Sequence, residues 1–269
     1  MFAKLLKYEW KANVRLLTLL SACALGLGCV SAVILRLLTT NLDILMVKDE
    51  GILFIIPAIL FLFTAYIGII LYATGTNIIL LLRFYKSRFT DEGYLTFTLP
   101  VKTSHIFLSG ALNNLIWNVI AIIVVLSSLA IAVGLGPEWS ASAVEEIDMS
   151  FDVLFNAFTP GYAVSIAFCF IAMALYALLA PMIAIVLGAT AAKKHKVLAI
   201  IGIMIGLSAA TSTANGFISG ILMIATFTSD NTLLFTTLTP LLQSIVPLFV
   251  AVGGYFLSIR LMKRKLNLP

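Results

Sequence analysis

Six long apolar stretches dominate the chain, at about 16–35, 52–82, 106–135, 162–191, 197–226 and 232–259. Each reaches the ~20 residues that a helix needs to cross a ~30 Å hydrocarbon core. Helices on the surface of a soluble core carry one apolar stripe and a polar opposite face, and these stretches have no such alternation. Composition agrees: 61% of the residues are hydrophobic and 11% charged, against about 45–50% and about 25% in soluble domains. Inside a bilayer every backbone polar group must be satisfied within its own segment. The predicted class is therefore an all-α integral membrane protein, a single transmembrane domain over 1–269 with six transmembrane helices.

Charge sets the expected orientation. Lys4, Lys7, Lys11, Arg15, Arg83, Lys86, Arg88, Lys102, Lys193, Lys194, Lys196, Arg260, Lys263, Arg264 and Lys265 fall on one side when loops alternate; of the 17 basic residues only Arg36 and Lys48 fall on the other. Basic residues accumulate on the cytoplasmic side, so both termini are expected there, in a bacterial cell membrane. Residues 136–161, with Glu138, Glu145, Glu146, Asp148 and Asp152, become an extracellular loop, and 83–105 a cytoplasmic one. The net charge of +5 sits at span ends, which points to anionic lipid headgroups and away from nucleic acid.

Residues 2–15 place Lys4, Lys7, Lys11 and Arg15 on one helical face and Phe2, Leu5, Leu6 and Trp10 mainly on the other. That pattern predicts an amphipathic helix lying in the membrane interface. The stretch 52–82 is long enough to project beyond the bilayer, and projection into the cytoplasm is expected. Thr211-Ser212-Thr213-Ala214-Asn215-Gly216 interrupts the fifth stretch with turn-forming and polar residues, and Ser229-Asp230-Asn231 stands between the fifth and the sixth. Two readings follow. In one, span five ends near 214, short re-entrant helices occupy 216–227 and 231–239, and span six runs over 240–262. In the other, a long tilted helix carries a polar patch.

The chain offers little for catalysis. No GxxxxGK[ST] phosphate loop occurs. His105 and His195 are isolated at span ends, and Cys23, Cys29 and Cys169 lack metal-ligand spacing and are read as packing residues. Leu20-Ser21-Ala22-Cys23 resembles a lipoprotein cleavage box, but the apolar run continues to Leu35, so a span is expected there. No carboxylate falls within a predicted span, which argues against proton-coupled or sodium-coupled carriage. Neutral polar residues do: Asn77, Asn113, Asn114, Asn118, Ser208, Thr211 and Gln243. Such groups commonly join helices; Asn77, Ser208 and Thr211 are also candidates to line a pathway. The chain by itself is expected to be no enzyme and to need no cofactor or metal.

The loop Arg83-Phe84-Tyr85-Lys86-Ser87-Arg88-Phe89-Thr90-Asp91-Glu92-Gly93-Tyr94-Leu95-Thr96-Phe97-Thr98-Leu99-Pro100-Val101 resembles the cytoplasmic loop of the membrane subunits of ATP-binding-cassette (ABC) exporters, the type-2 permease family of Gram-positive bacteria. The opening LLKYEWKANVR is similar to that family's interfacial N-terminal helix. The resemblance implies a permease subunit whose ATP hydrolysis belongs to a separate ATPase, and a partner that is a second copy or a paralogue. It also implies that Thr90, Asp91, Glu92, Gly93, Tyr94, Leu95, Phe97 and Leu99 form the docking element for that ATPase. Thr90 is expected to cap a short helix with Asp91 and Glu92 in its first turn. Gly93 would spare bulk at the closest approach to the partner, and Thr103 or Ser104 would cap span three. The alternatives are an ATPase-independent secondary carrier and a non-transporting membrane scaffold.

Overall fold

The computed structural model describes residues 2–40, 51–90, 92, 93, 101–135, 149, 159–192, 194–228 and 232–265. Six long helices account for nearly all of them: α1 (Phe2–Thr40), α2 (Gly51–Phe89), α3 (Thr103–Leu135), α4 (Pro160–Ala191), α5 (Lys196–Thr228) and α6 (Thr232–Lys265). All six are long and apolar enough to cross a membrane, and the chain is a multi-pass membrane protein. At ~1.5 Å per residue the 39-residue helices α1 and α2 are each about 58 Å long, well beyond a ~30 Å core.

Three boundaries differ from the sequence-based expectation. Residues 2–15 are no separate element; they are the first turns of α1, continuous with the first span. The α5 helix passes without a break through Asn215 and Gly216, so the predicted end of span five near 214 and the re-entrant helix over 216–227 are not formed. The described residues of the predicted 231–239 helix are the start of α6, which runs on through Pro240. Ser229-Asp230-Asn231 lies outside the described residues. Continuity has a local cause: two of the hydroxyls that suggested a turn bond within the helix. Thr211 Oγ1 donates to the Leu207 carbonyl at 2.9 Å and Thr213 Oγ1 to the Ala209 carbonyl at 2.9 Å. A hydroxyl satisfied this way can stay in an apolar helix without opening it.

The chain divides into two compact units, one of 1–82 with 112–149 and one of 83–111 with 150–269. In the first, α1 presents a buried face of small residues, Ser21, Ala24, Gly28, Ser31 and Ala32, beneath Leu17. Small residues let helix backbones approach closely where lipid offers no hydrophobic drive for association. A Cβ at Gly28 would fall 2.8 Å from the Ser128 Cα, so only glycine fits that crossing. Nearby, Ser128 Oγ donates to the Ala24 carbonyl at 3.2 Å, and the hydroxyls of Ser21 and Tyr72 lie 2.9 Å apart. Above this layer Leu17, Leu80 and Trp117 form a cluster, and Trp10 stacks on Trp117 with centroids 4.6 Å apart at 19°.

In the second unit, Met182, Ile183, Ala184, Ile185 and Val186 of α4 are all buried. Five consecutive buried residues wrap the full circumference of a helix, so this part of α4 has no lipid-facing side. Thr159 caps its N-terminus, its Oγ1 accepting from the Tyr162 amide, with Pro160 in the first turn. Only four residues connect α4 to α5. That hairpin is tight because a Cβ at Gly188 would meet the Ile200 backbone nitrogen at 2.6 Å. Gln243 Nε2 of α6 donates to Ser219 Oγ of α5 at 2.9 Å. The outward face of α5 carries Gly202, Gly206, Gly216 and Gly220, each with open space where a Cβ would stand.

Candidate functional site at the junction of α2 and α3

The end of α2 is built around a buried cation. Phe84 and Arg88 stand four residues apart, hence on one helical face, and both are buried, Arg88 to 3% exposure. Burying a guanidinium is costly unless its protons find acceptors. Here Nη2 donates to the Ile106 carbonyl at 2.8 Å and Nη1 to Ser87 Oγ at 3.0 Å. The carbon between them lies 4.2 Å from the centroid of the Phe84 ring, where the negative face of the ring attracts a cation. Gly110 leaves room for this arrangement, since a Cβ there would stand 2.8 Å from both Arg88 Nη2 and the Phe84 ring.

The clamp continues into an aromatic row. Phe84 meets Phe107 edge to face at 5.8 Å, and Phe107 meets Tyr255 of α6 at 5.5 Å and 70°. Such geometry sets ring edges against ring faces and adds to the apolar burial. Phe107 is 0% exposed and Ile106 2%. The base of the loop is thus tied to the first turns of α3, and those to α6, by one contiguous set of side chains.

Of the predicted docking residues, Asp91, Tyr94, Leu95, Phe97 and Leu99 lie outside the described residues. The other three have local roles. The Thr90 hydroxyl donates back to the Lys86 carbonyl, so that donation closes the turn behind Thr90. The Gly93 amide donates to the Thr90 carbonyl at 2.8 Å. A Cβ on Gly93 would run into the Arg88 carbonyl, so glycine spares bulk against the chain's own backbone here. Glu92 pairs with Lys86 at 3.6 Å, but with 60% and 70% of the side chains exposed the pair contributes little. At the start of α3 the Lys102 carbonyl accepts from the His105 amide at 2.9 Å. That places Thr103 and Ser104 inside the first turn, one and two steps past the cap position expected of them.

Each candidate pathway residue has partners within its own unit, and Thr211 Oγ1 also lies 3.0 Å from the Ser208 carbonyl. Asn77 lies in the first unit and its amide donates to the Ala73 carbonyl of its own helix at 3.1 Å. Ser208 is exposed and donates to the Ile205 carbonyl at 2.9 Å. Thr211 is buried, its hydroxyl 2.8 Å from that of Tyr176, and both reach the Leu207 carbonyl. This is an interhelical bond between α4 and α5. Among the described residues no group of three or more His, Cys, Asp or Glu side chains is placed to hold a metal ion.

Sequence reasoning missed the burial of Arg88, which it counted only as a marker of the cytoplasmic side. A usable signal was present: an aromatic residue one turn before an arginine, facing a glycine at the start of the next span. The chain matches no protein-family model, no curated protein and no solved structure.

Proposed function

We propose that the chain is the permease subunit of an ABC exporter, working as a pair with a second copy or a paralogue and driven by a separate ATPase. In this reading residues 90–99 receive the ATPase on the cytoplasmic face of a bacterial membrane, where the positive-inside distribution puts the junction of α2 and α3 and both termini. The observation that carries it is the Arg88 clamp. A loop whose base is fixed to α3 by the Arg88 to Ile106 bond, and through Phe107 to Tyr255, can pass a push on to helices; a freely hanging loop would absorb it. Support also comes from α2 to α6, whose sequences contain no Asp or Glu, because a proton-coupled or sodium-coupled carrier ordinarily keeps a carboxylate at depth.

The test is a double substitution, Tyr94→Ala with Leu95→Ala, in the chain expressed with its ATPase. The expected result is normal membrane insertion with loss of copurifying ATPase and of substrate-stimulated hydrolysis. Normal copurification and normal transport by the variant would end the docking assignment.

A further inference from the structure

The N-terminal turns of α1 carry a second surface that the transport reading does not use. Lys4, Lys7, Lys11 and Arg15 are all exposed, and at 100° per residue they fall within an arc of about 80°. Among the described residues none of the four side chains has a hydrogen bond or an ion pair. An interfacial helix would bury its apolar face in lipid. Here protein occupies that face from Trp10 onward: Trp10 stacks on Trp117, Asn13 is 4% exposed and Leu17 1%, while Phe2, Leu5 and Leu6 are half-buried. What α1 offers its surroundings is a ladder of cations beside the exposed ring of Tyr8.

The height of the ladder is fixed by the helix itself. Arg15 and Arg36 bracket a run of uncharged residues in one unbroken helix, and that run is about 30 Å long, the thickness of a hydrocarbon core. Arg15 therefore stands at the hydrocarbon boundary and Lys11 about 6 Å farther out, within the headgroup layer of about 5–8 Å. Lys7 and Lys4 are about 12 and 16 Å out, at and beyond the edge of that layer. We propose that Arg15 and Lys11, with Lys7 as a weaker contributor, bind the phosphates of anionic membrane lipids against the outer face of α1. The assignment rests on α1 alone and stands whether or not the chain is a permease.

The site predicts a gradient. Each cation near an anionic surface contributes about fivefold in affinity, and charges beyond a Debye length of about 8 Å contribute much less. The purified chain in detergent is titrated with phosphatidylglycerol and with phosphatidylcholine, and bound lipid is counted by native mass spectrometry. K11Q/R15Q is expected to weaken phosphatidylglycerol binding by more than tenfold, K4Q/K7Q by about threefold or less, with phosphatidylcholine binding unchanged in both. K11R/R15K, which keeps the charges, is expected to retain wild-type affinity and so separates loss of charge from misfolding. Inorganic phosphate, added against sodium chloride of equal ionic strength, is expected to leave lipid binding unaltered. Unchanged phosphatidylglycerol affinity in K11Q/R15Q, or displacement of the lipid by inorganic phosphate, would overturn the proposal. A larger loss in K4Q/K7Q than in K11Q/R15Q would also overturn it, since the lipid would then be held beyond the headgroup layer assigned to Arg15 and Lys11.

Discussion

Arg88 Nη2 and the Ile106 carbonyl, eighteen positions apart in sequence, are joined by a buried 2.8 Å hydrogen bond. The bond turns the connection between α2 and α3 into a fixed corner, because the same guanidinium also lies over Phe84 and fills the space beside Gly110.

Arg88→Ala should lower stability by about 2–3 kcal/mol, the range for a buried charge-assisted bond with a cation–π contact. Arg88→Lys should recover less than half of that, since an ammonium cannot both stack on the ring and fork between two acceptors. Unfolding by sodium dodecyl sulfate titration reads both variants; wild-type stability in Arg88→Ala would show that the corner is held by something else.

Glycines at two kinds of position should respond in opposite directions. Gly28→Ala forces the backbones of α1 and α3 apart at Ser128 and should cost about 1–3 kcal/mol. Gly216→Ala, in the interior of a continuous α5 with nothing within 4 Å of the new methyl, should be neutral or stabilising by up to about 1 kcal/mol. A large penalty at Gly216 in the isolated chain would mean that the helix turns there.

Thr211→Val and Tyr176→Phe each remove one side of the hydroxyl pair between α4 and α5. Bonds of this kind within membranes are worth about 0.6 kcal/mol on average, so a double-mutant cycle should give a coupling of that order. In the proposed permease, transport should be unaffected, and a transport defect without a stability change would make Thr211 a pathway residue.

Topology is checked by single cysteines in a background with Cys23, Cys29 and Cys169 replaced. A membrane-impermeant thiol reagent applied to whole cells should label Ser142→Cys and spare Lys194→Cys. The reverse pattern would invert the orientation drawn from the basic residues.

The six spans were legible because a bilayer leaves only one solution for an apolar run: a helix that bonds to itself. The same rule explains the misreading of α5. Asn215 and Gly216 are turn formers in water, where an open backbone can bond to solvent. In an apolar surround the Thr211 and Thr213 hydroxyls bond backward to Leu207 and Ala209, and the helix continues. The amphipathic pattern of 2–15 correctly separated exposed lysines from half-buried apolar residues, yet a pattern on one helix cannot say whether lipid or protein covers its apolar side. That depends on Trp117, more than a hundred residues away. Gly93 shows the same limit at short range: the sequence signals that bulk is excluded, and only the fold identifies the Arg88 carbonyl as what excludes it.

The stretch Met182 to Val186, enclosed on every side, leaves the second unit with a fixed axis. A helix with a lipid-facing side can roll or slide by trading contacts with fluid acyl chains. One with protein all round it can turn only if every neighbour repacks together, at interior densities that resist it. Motions of α5 or α6 would then pivot on this part of α4 while it keeps its place.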